Sequence, residues 1–147
     1  MDAAEERALA VALFNGVWTL LDKPDRTRDD DDTMLHMAHA SRHHWGRVGT
    51  PVNLARGEWQ CSRVYAVLGR SEPAEHHARR CLELCAEHGI GDFDIAYAHE
   101  ALARAASVAG DPDATRDRLA RARAALDGIA DAGDREHVES DLATIKV

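Results

Sequence analysis

Four residues with metal-binding chemistry recur at helical spacing. Asp32, His36, His39 and His43 are 4, 3 and 4 residues apart, so on a helix they share one stripe. That stripe lies opposite Met34, Ala38, Ser41, Trp45 and Val48. His39 and His43 at i, i+4 can jointly hold a metal, and His36 with Asp32 would extend the ligand set. A helix-bundle site also needs ligands from a facing helix, and Glu58 is the nearest candidate. No HExxH or ExxH motif accompanies them, and histidines on an outer helix face are commonly solvated or packed at an interface. His77, Cys81 and Cys85 form another stripe, open to metal or redox use or to plain burial, where free cysteine behaves as a small hydrophobe. Glu58 and Ser62 fall on otherwise apolar arcs; a catalytic role competes with a buried Glu paired to an arginine. The run Asp29 to Asp32 lacks the alternating ligands and central glycine of a calcium loop and suits a helix N-terminus. No nucleophile elbow, phosphate loop, dinucleotide fingerprint or zinc-finger spacing occurs, so no enzymatic activity and no cofactor are expected.

The elements that must position these residues are helices. The stretch "LARGEWQCSRVYAVLGRSEPAEHHARRCLELCAEHGI" is followed by "IAYAHEALARAASVAGDPDATRDRLARARAALDGI". An offset of 41 residues superimposes Leu54 on Ile95, Arg63 on Arg104, Val67 on Val108, Gly69 on Gly110 and Arg80 on Arg121. Such a period means stacked helix pairs. Periodicity and punctuation place seven helices. The first runs from about Ala4 to Leu21 and stops before Pro24. The second spans roughly Asp30 to Val48, and Pro51 opens a third reaching Leu68. The fourth runs from about Pro73 to His88, closed by Gly89 and Gly91. Asp92 or Asp94 caps a fifth ending near Ala109. Pro112 starts a sixth that fades at Gly128 to Asp131, and a more polar helix from Asp134 to about Ile145 caps the stack. Trp18 and Trp45 lie on apolar faces, which favours core packing over an aromatic pocket. The 147 residues form one domain, with helix pairs at about 4–48, 51–88 and 92–130 and the cap at 134–145.

Composition excludes several partners. The formal charge of -8 disfavours nucleic acid and anionic membranes. No apolar run approaches membrane-spanning length. Three cysteines make no disulfide framework, and the N-terminus lacks a signal pattern, so a reducing cytoplasm is expected.

Each copy of the repeat resembles a tetratricopeptide (TPR) repeat. Tyr65 falls at the aromatic position near the end of helix A, Gly69 at the turn, Ala74 and Ala78 at small positions of helix B. In the second copy Gly110, Leu119 and Ala122 match, whereas Ala106 and Thr115 depart from the pattern, Trp59 stands one place late, and the period of 41 exceeds the usual length. The segment "HWGRVGTPVNLARGEWQCSRVYAVLGR" is also similar to small bacterial proteins without an assigned function. The resemblance implies an all-α, right-handed TPR-like superhelix of about three antiparallel pairs plus the cap. It also implies a concave groove lined by Arg56, Trp59 and Arg63 of the third helix and Tyr97, Glu100 and Arg104 of the fifth. Helical arithmetic agrees, placing Arg56, Trp59 and Arg63 within about 60° of one another. Three arginines beside two aromatics suit a protein or peptide partner, an acidic segment or a C-terminal carboxylate. A solvated face whose arginines pair with neighbouring acids is the alternative. Short stacks expose apolar ends, so a homodimer is also expected.

Overall fold

The computed structural model describes all 147 residues. It contains seven α-helices and no strand: α1 Ala3–Leu21, α2 Arg28–Val48, α3 Pro51–Val67, α4 Ser71–His88, α5 Asp92–Val108, α6 Pro112–Ala125 and α7 Ala132–Leu142, with a single 3-10 turn at Leu126–Gly128. None is long and apolar enough to cross a membrane.

Local chemistry explains the boundaries. The Asp2 carboxylate accepts from the Glu5 N–H at 2.8 Å, and Glu5 accepts in return from the Asp2 N–H at 2.9 Å. Thr27 and Asp30 repeat this reciprocal cap, which starts α2 two residues earlier than its acidic run suggests. Asp29 to Asp31 then occupy the first turn, where the helix dipole favours them. The two turns related by 41 residues are built alike. Gly69 and Gly110 adopt φ of +74° and +73°, and the N–H of the next residue reaches back to Tyr65 and Ala106 respectively. Glycine tolerates this left-handed conformation without a Cβ penalty.

Two expected boundaries shift. Neither Asp92 nor Asp94 caps α5: Gly91 holds the cap position. Asp92 takes φ +54°, and its carboxylate accepts from the N–H groups of Phe93 and Ala130. That bond ties the start of α5 to the turn before α7 and compensates the strained backbone. The last helix begins two residues early and stops at Leu142, yet Ile145 beyond it remains 9% exposed.

Consecutive helices pair as α1/α2, α3/α4 and α5/α6, and α3 also packs on α1 and α5, as α5 does on α7. The odd-numbered helices therefore form a continuous backbone-close row. The even-numbered helices do not approach one another that closely. They are bridged by side chains, as where Arg118 of α6 donates to Glu75 of α4 at 2.5 Å. Small residues allow the close row: Ala55, Ala96, Ala98 and Ala103 are at most 1% exposed. The largest core cluster joins α5, α6 and α7 through residues such as Leu119, Leu126, Ile129, Val138 and Leu142. A second holds Val17, Met34, Ala38, Cys61 and Val64 between α1, α2 and α3. Cys81 and Cys85 are buried with Leu84 and Ala98 in a third.

Candidate functional site

The row of odd-numbered helices brings the six expected groove residues together in three layers. Spacings of 3 and 4 put Arg56, Trp59 and Arg63 on one face of α3 and Tyr97, Glu100 and Arg104 on one face of α5. These faces meet. In the first layer Arg56 makes a bidentate pair with Asp94 at 2.9 and 3.1 Å and lies over the Phe93 ring at 5.1 Å. In the second, the rings of Trp59 and Tyr97 pack edge to face with centroids 5.3 Å apart. In the third, Glu100 is wholly buried between Arg63 at 3.1 Å and Arg104 at 3.6 Å.

Neighbouring helices complete the arrangement. Trp18 of α1 packs against Trp59 at 5.6 Å. Gln60 donates to the Phe14 carbonyl at 3.0 Å, fixing α3 to α1. From α7, the Asp141 carboxylate accepts from the Tyr97 hydroxyl at 2.8 Å, and its backbone carbonyl accepts from Arg104 at 3.0 Å. Between these helices opens a cavity of about 210 Å3. Its walls carry Phe14, Trp18, Trp59, Phe93 and Tyr97, with Arg56, Asp94 and Asp141 as the charged groups and His137 at the edge. Trp45 is core as expected, at 7% exposure, but Trp18 is a cavity wall rather than core.

Electrostatics assign the polar groups. Burial raises the Glu100 carboxyl above its ordinary value, against the pull of Arg104 and Arg63. Burial likewise lowers Arg104. Burial and the bond to Asp141 push the Tyr97 phenol well above its ordinary range, so it remains a donor to that carboxylate. The three arginines thus answer carboxylates of the chain itself. The free guanidinium forks expected for an acidic or C-terminal ligand are absent, because Asp94 and Glu100 fill them.

The histidine stripe does not assemble. Asp32, His36 and His43 are exposed on α2, whereas His39 turns inward. His39 hydrogen-bonds the Tyr65 hydroxyl at 2.9 Å and approaches the Cys61 sulfur at 3.9 Å. Glu58 turns to α4, where it meets His77 at 2.7 Å, and it pairs with Arg42 at 3.3 Å. No group of three His, Cys, Asp or Glu side chains is placed to hold a metal ion. One helical period aligns candidates on a single helix, but ligation needs convergence between helices. Cys61 is buried and close to Glu58, which pushes its thiol up to about 12 and keeps it protonated. Ser62 is buried too; its hydroxyl donates to the Ala74 carbonyl at 2.8 Å and joins α3 to α4.

No sequence motif marks His39, Tyr65, His77 and Glu58 as a unit. Its only sequence signal is the 3 and 4 spacing of Glu58, Cys61 and Tyr65. Burial first, then the charges of His77 and His36, hold His39 below its ordinary 6.5, with Glu58 opposing. A histidine depressed in the folded state favours folding above its ordinary value, and that contribution is lost as pH falls through the folded value. Thermal stability is therefore expected to fall below about pH 6.5. His39→Gln should make that slope shallower without flattening it, because burial and Arg121 also lower His99. Melting curves across pH check this, and an unchanged slope in the variant would remove His39 from the account.

A larger groove of about 520 Å3 runs between α4, α5 and α6, but its floor is alanine and its rim is taken up by the Glu75 pairs with Arg79 and Arg118. It offers no aromatic wall. No protein-family model, curated protein or solved structure matches this chain.

Proposed function

We propose that the chain is a non-enzymatic, TPR-like binding module whose three helix pairs and cap present a groove on the odd-numbered helices to a protein or peptide. The observation that carries this reading is the aromatic cavity at the groove's centre, walled by Trp59 and Tyr97, two of the six positions that a TPR-like stack turns toward its ligand. A concave, mostly apolar site with a few convergent polar groups is the usual form of a binding pocket. Its volume suits one bulky side chain of a partner rather than an extended ligand. The arginines act as scaffold: they hold α3, α5 and α7 in register and neutralise buried acids. The three free cysteines suit a reducing cytoplasm.

The test separates cavity from arginine clamp. A peptide selected from a display library against the full chain is titrated by fluorescence anisotropy. Trp59→Ala is expected to weaken it by about thirtyfold, the effect of a hot-spot residue, while Arg56→Ala changes it less than about threefold. Circular dichroism confirms that both variants keep their helices. Loss of binding on Arg56→Ala with little change on Trp59→Ala would overturn the cavity and restore the clamp.

A further inference from the structure

Five of the chain's seven aromatic residues line one cavity: both phenylalanines, two of the three tryptophans and one of the two tyrosines. Phe93 and Tyr97 pack against the cluster of α5, α6 and α7, and Trp59 against the one around Cys81, yet all three also line the cavity. The cavity's charges narrow its ligand. Arg56 and Asp94 neutralise each other through their bidentate pair. The Asp141 carboxylate makes no such bidentate pair: it accepts from the Tyr97 hydroxyl and lies 3.8 Å from His137, while Arg104 donates to the Asp141 backbone carbonyl at 3.0 Å. Among the charged groups of the walls, Asp141 is therefore the carboxylate that no arginine pairs directly. An anion would face Asp94 and Asp141, whereas a cation would meet a carboxylate that is not held in a guanidinium fork.

We infer that the cavity takes a methylated ammonium group, seated against the rings of Trp18, Trp59 and Tyr97 with Asp141 balancing its charge. This rests on the binding reading above and names the chemistry of the group that enters the cavity. Aromatic faces attract cations through the ring quadrupole. The chain already uses these walls so, with Arg56 over Phe93 and Arg63 over Trp59 at 5.1 and 6.0 Å. Methylation matters because an unmodified ammonium is strongly hydrated and carries three donors that the mostly apolar walls do not satisfy. A trimethylammonium has no donors and a larger apolar surface. The size agrees as well: cavities of about 150 Å3 accept benzene, so 210 Å3 holds one compact head group. The overall charge of -8 adds a long-range attraction for cations. Two sources share this chemistry, a methylated lysine of a partner protein and a free small molecule.

The full chain is titrated by calorimetry with choline and with 3,3-dimethylbutan-1-ol, its neutral isostere. Choline is expected to bind about tenfold more tightly. Asp141→Asn should erase that preference, so that the variant binds choline no more tightly than it binds the isostere. Equal binding of the two overturns the cation and leaves the apolar cavity standing. Binding of neither, with peptide binding still sensitive to Trp59→Ala, also overturns it. Loss of all binding at the cavity removes both readings together. A second pair of titrations, a peptide bearing trimethyllysine and the same peptide unmodified, identifies the source. Tighter binding of the methylated peptide than of choline places the ammonium on a protein partner; the reverse keeps the ammonium and overturns the peptide.

Discussion

Glu100→Ala is expected to destabilise the fold by about 3–5 kcal/mol, the cost of stripping a buried ion pair of one partner. Glu100 is wholly buried and faces both Arg63 and Arg104. Removing its carboxylate leaves two guanidiniums, 18% and 15% exposed, repelling each other with little water nearby. For a chain of this length the melting temperature should fall by about 10–20 °C. The raised Glu100 carboxyl shows that desolvation outweighs attraction in the triad, so the cluster as a whole adds little stability. A triple replacement, Arg63→Met with Glu100→Leu and Arg104→Met, should therefore recover most of the loss. It will not recover all of it, since Arg104 also donates to the Asp141 carbonyl and the Thr144 hydroxyl. Calorimetric melting of the three proteins checks the account. A triple variant no better than the single one would mean that lost packing, not stranded charge, sets the cost.

The second large effect is expected at the cap. Val138 is fully buried in the cluster that joins α5, α6 and α7, among Leu126, Ile129 and Leu142. Val138→Ala removes two methyl groups and should cost about 1–2 kcal/mol. Val138→Asp places a carboxylate there without a partner and should cost more than about 4 kcal/mol. Because α7 also carries His137 and Asp141, its loosening opens one wall of the cavity. Urea unfolding measures the first consequence and choline titration the second. A near-wild-type midpoint for Val138→Asp would mean that α7 does not seal the core.

Much of this was legible in the residues. Gly69, Gly89 and Gly110 end helices with positive φ, and Pro51 and Pro112 open them, because these residue types act on their own backbone. The six residues expected to line a groove group together for a similar reason. Spacing along one helix fixes a face, and the 41-residue offset relates the faces of two helices. What one helix's period does not encode is what the next helix brings. Asp94 and Glu100 convert three arginines from ligand-binding forks into internal braces, and the spacing of Glu100 with Arg104 on one face of α5 does not reveal that Arg63 of α3 meets it there. His39 belongs to a solvent-facing stripe by count, yet α3 packs on its side of α2 and draws it inward. Trp18 fits a core position equally well until α7 is seen to leave space beside it.

The unequal joining of the two rows of helices has a mechanical consequence. Odd-numbered helices contact one another directly, and α2 and α4 pack on the odd-numbered helices that follow them, whereas the even-numbered helices meet each other only through side chains such as Arg118 with Glu75 and His39 with His77. Successive pairs are joined by α2 on α3 and α4 on α5 as well as by the odd-numbered row, and the gaps between even-numbered helices are the least reinforced. A load that changes the curvature of the stack extends the even-numbered edge, where exposed ion pairs yield at small cost. Opening those gaps would leave the aromatic cavity, which lies on the odd-numbered row, undisturbed.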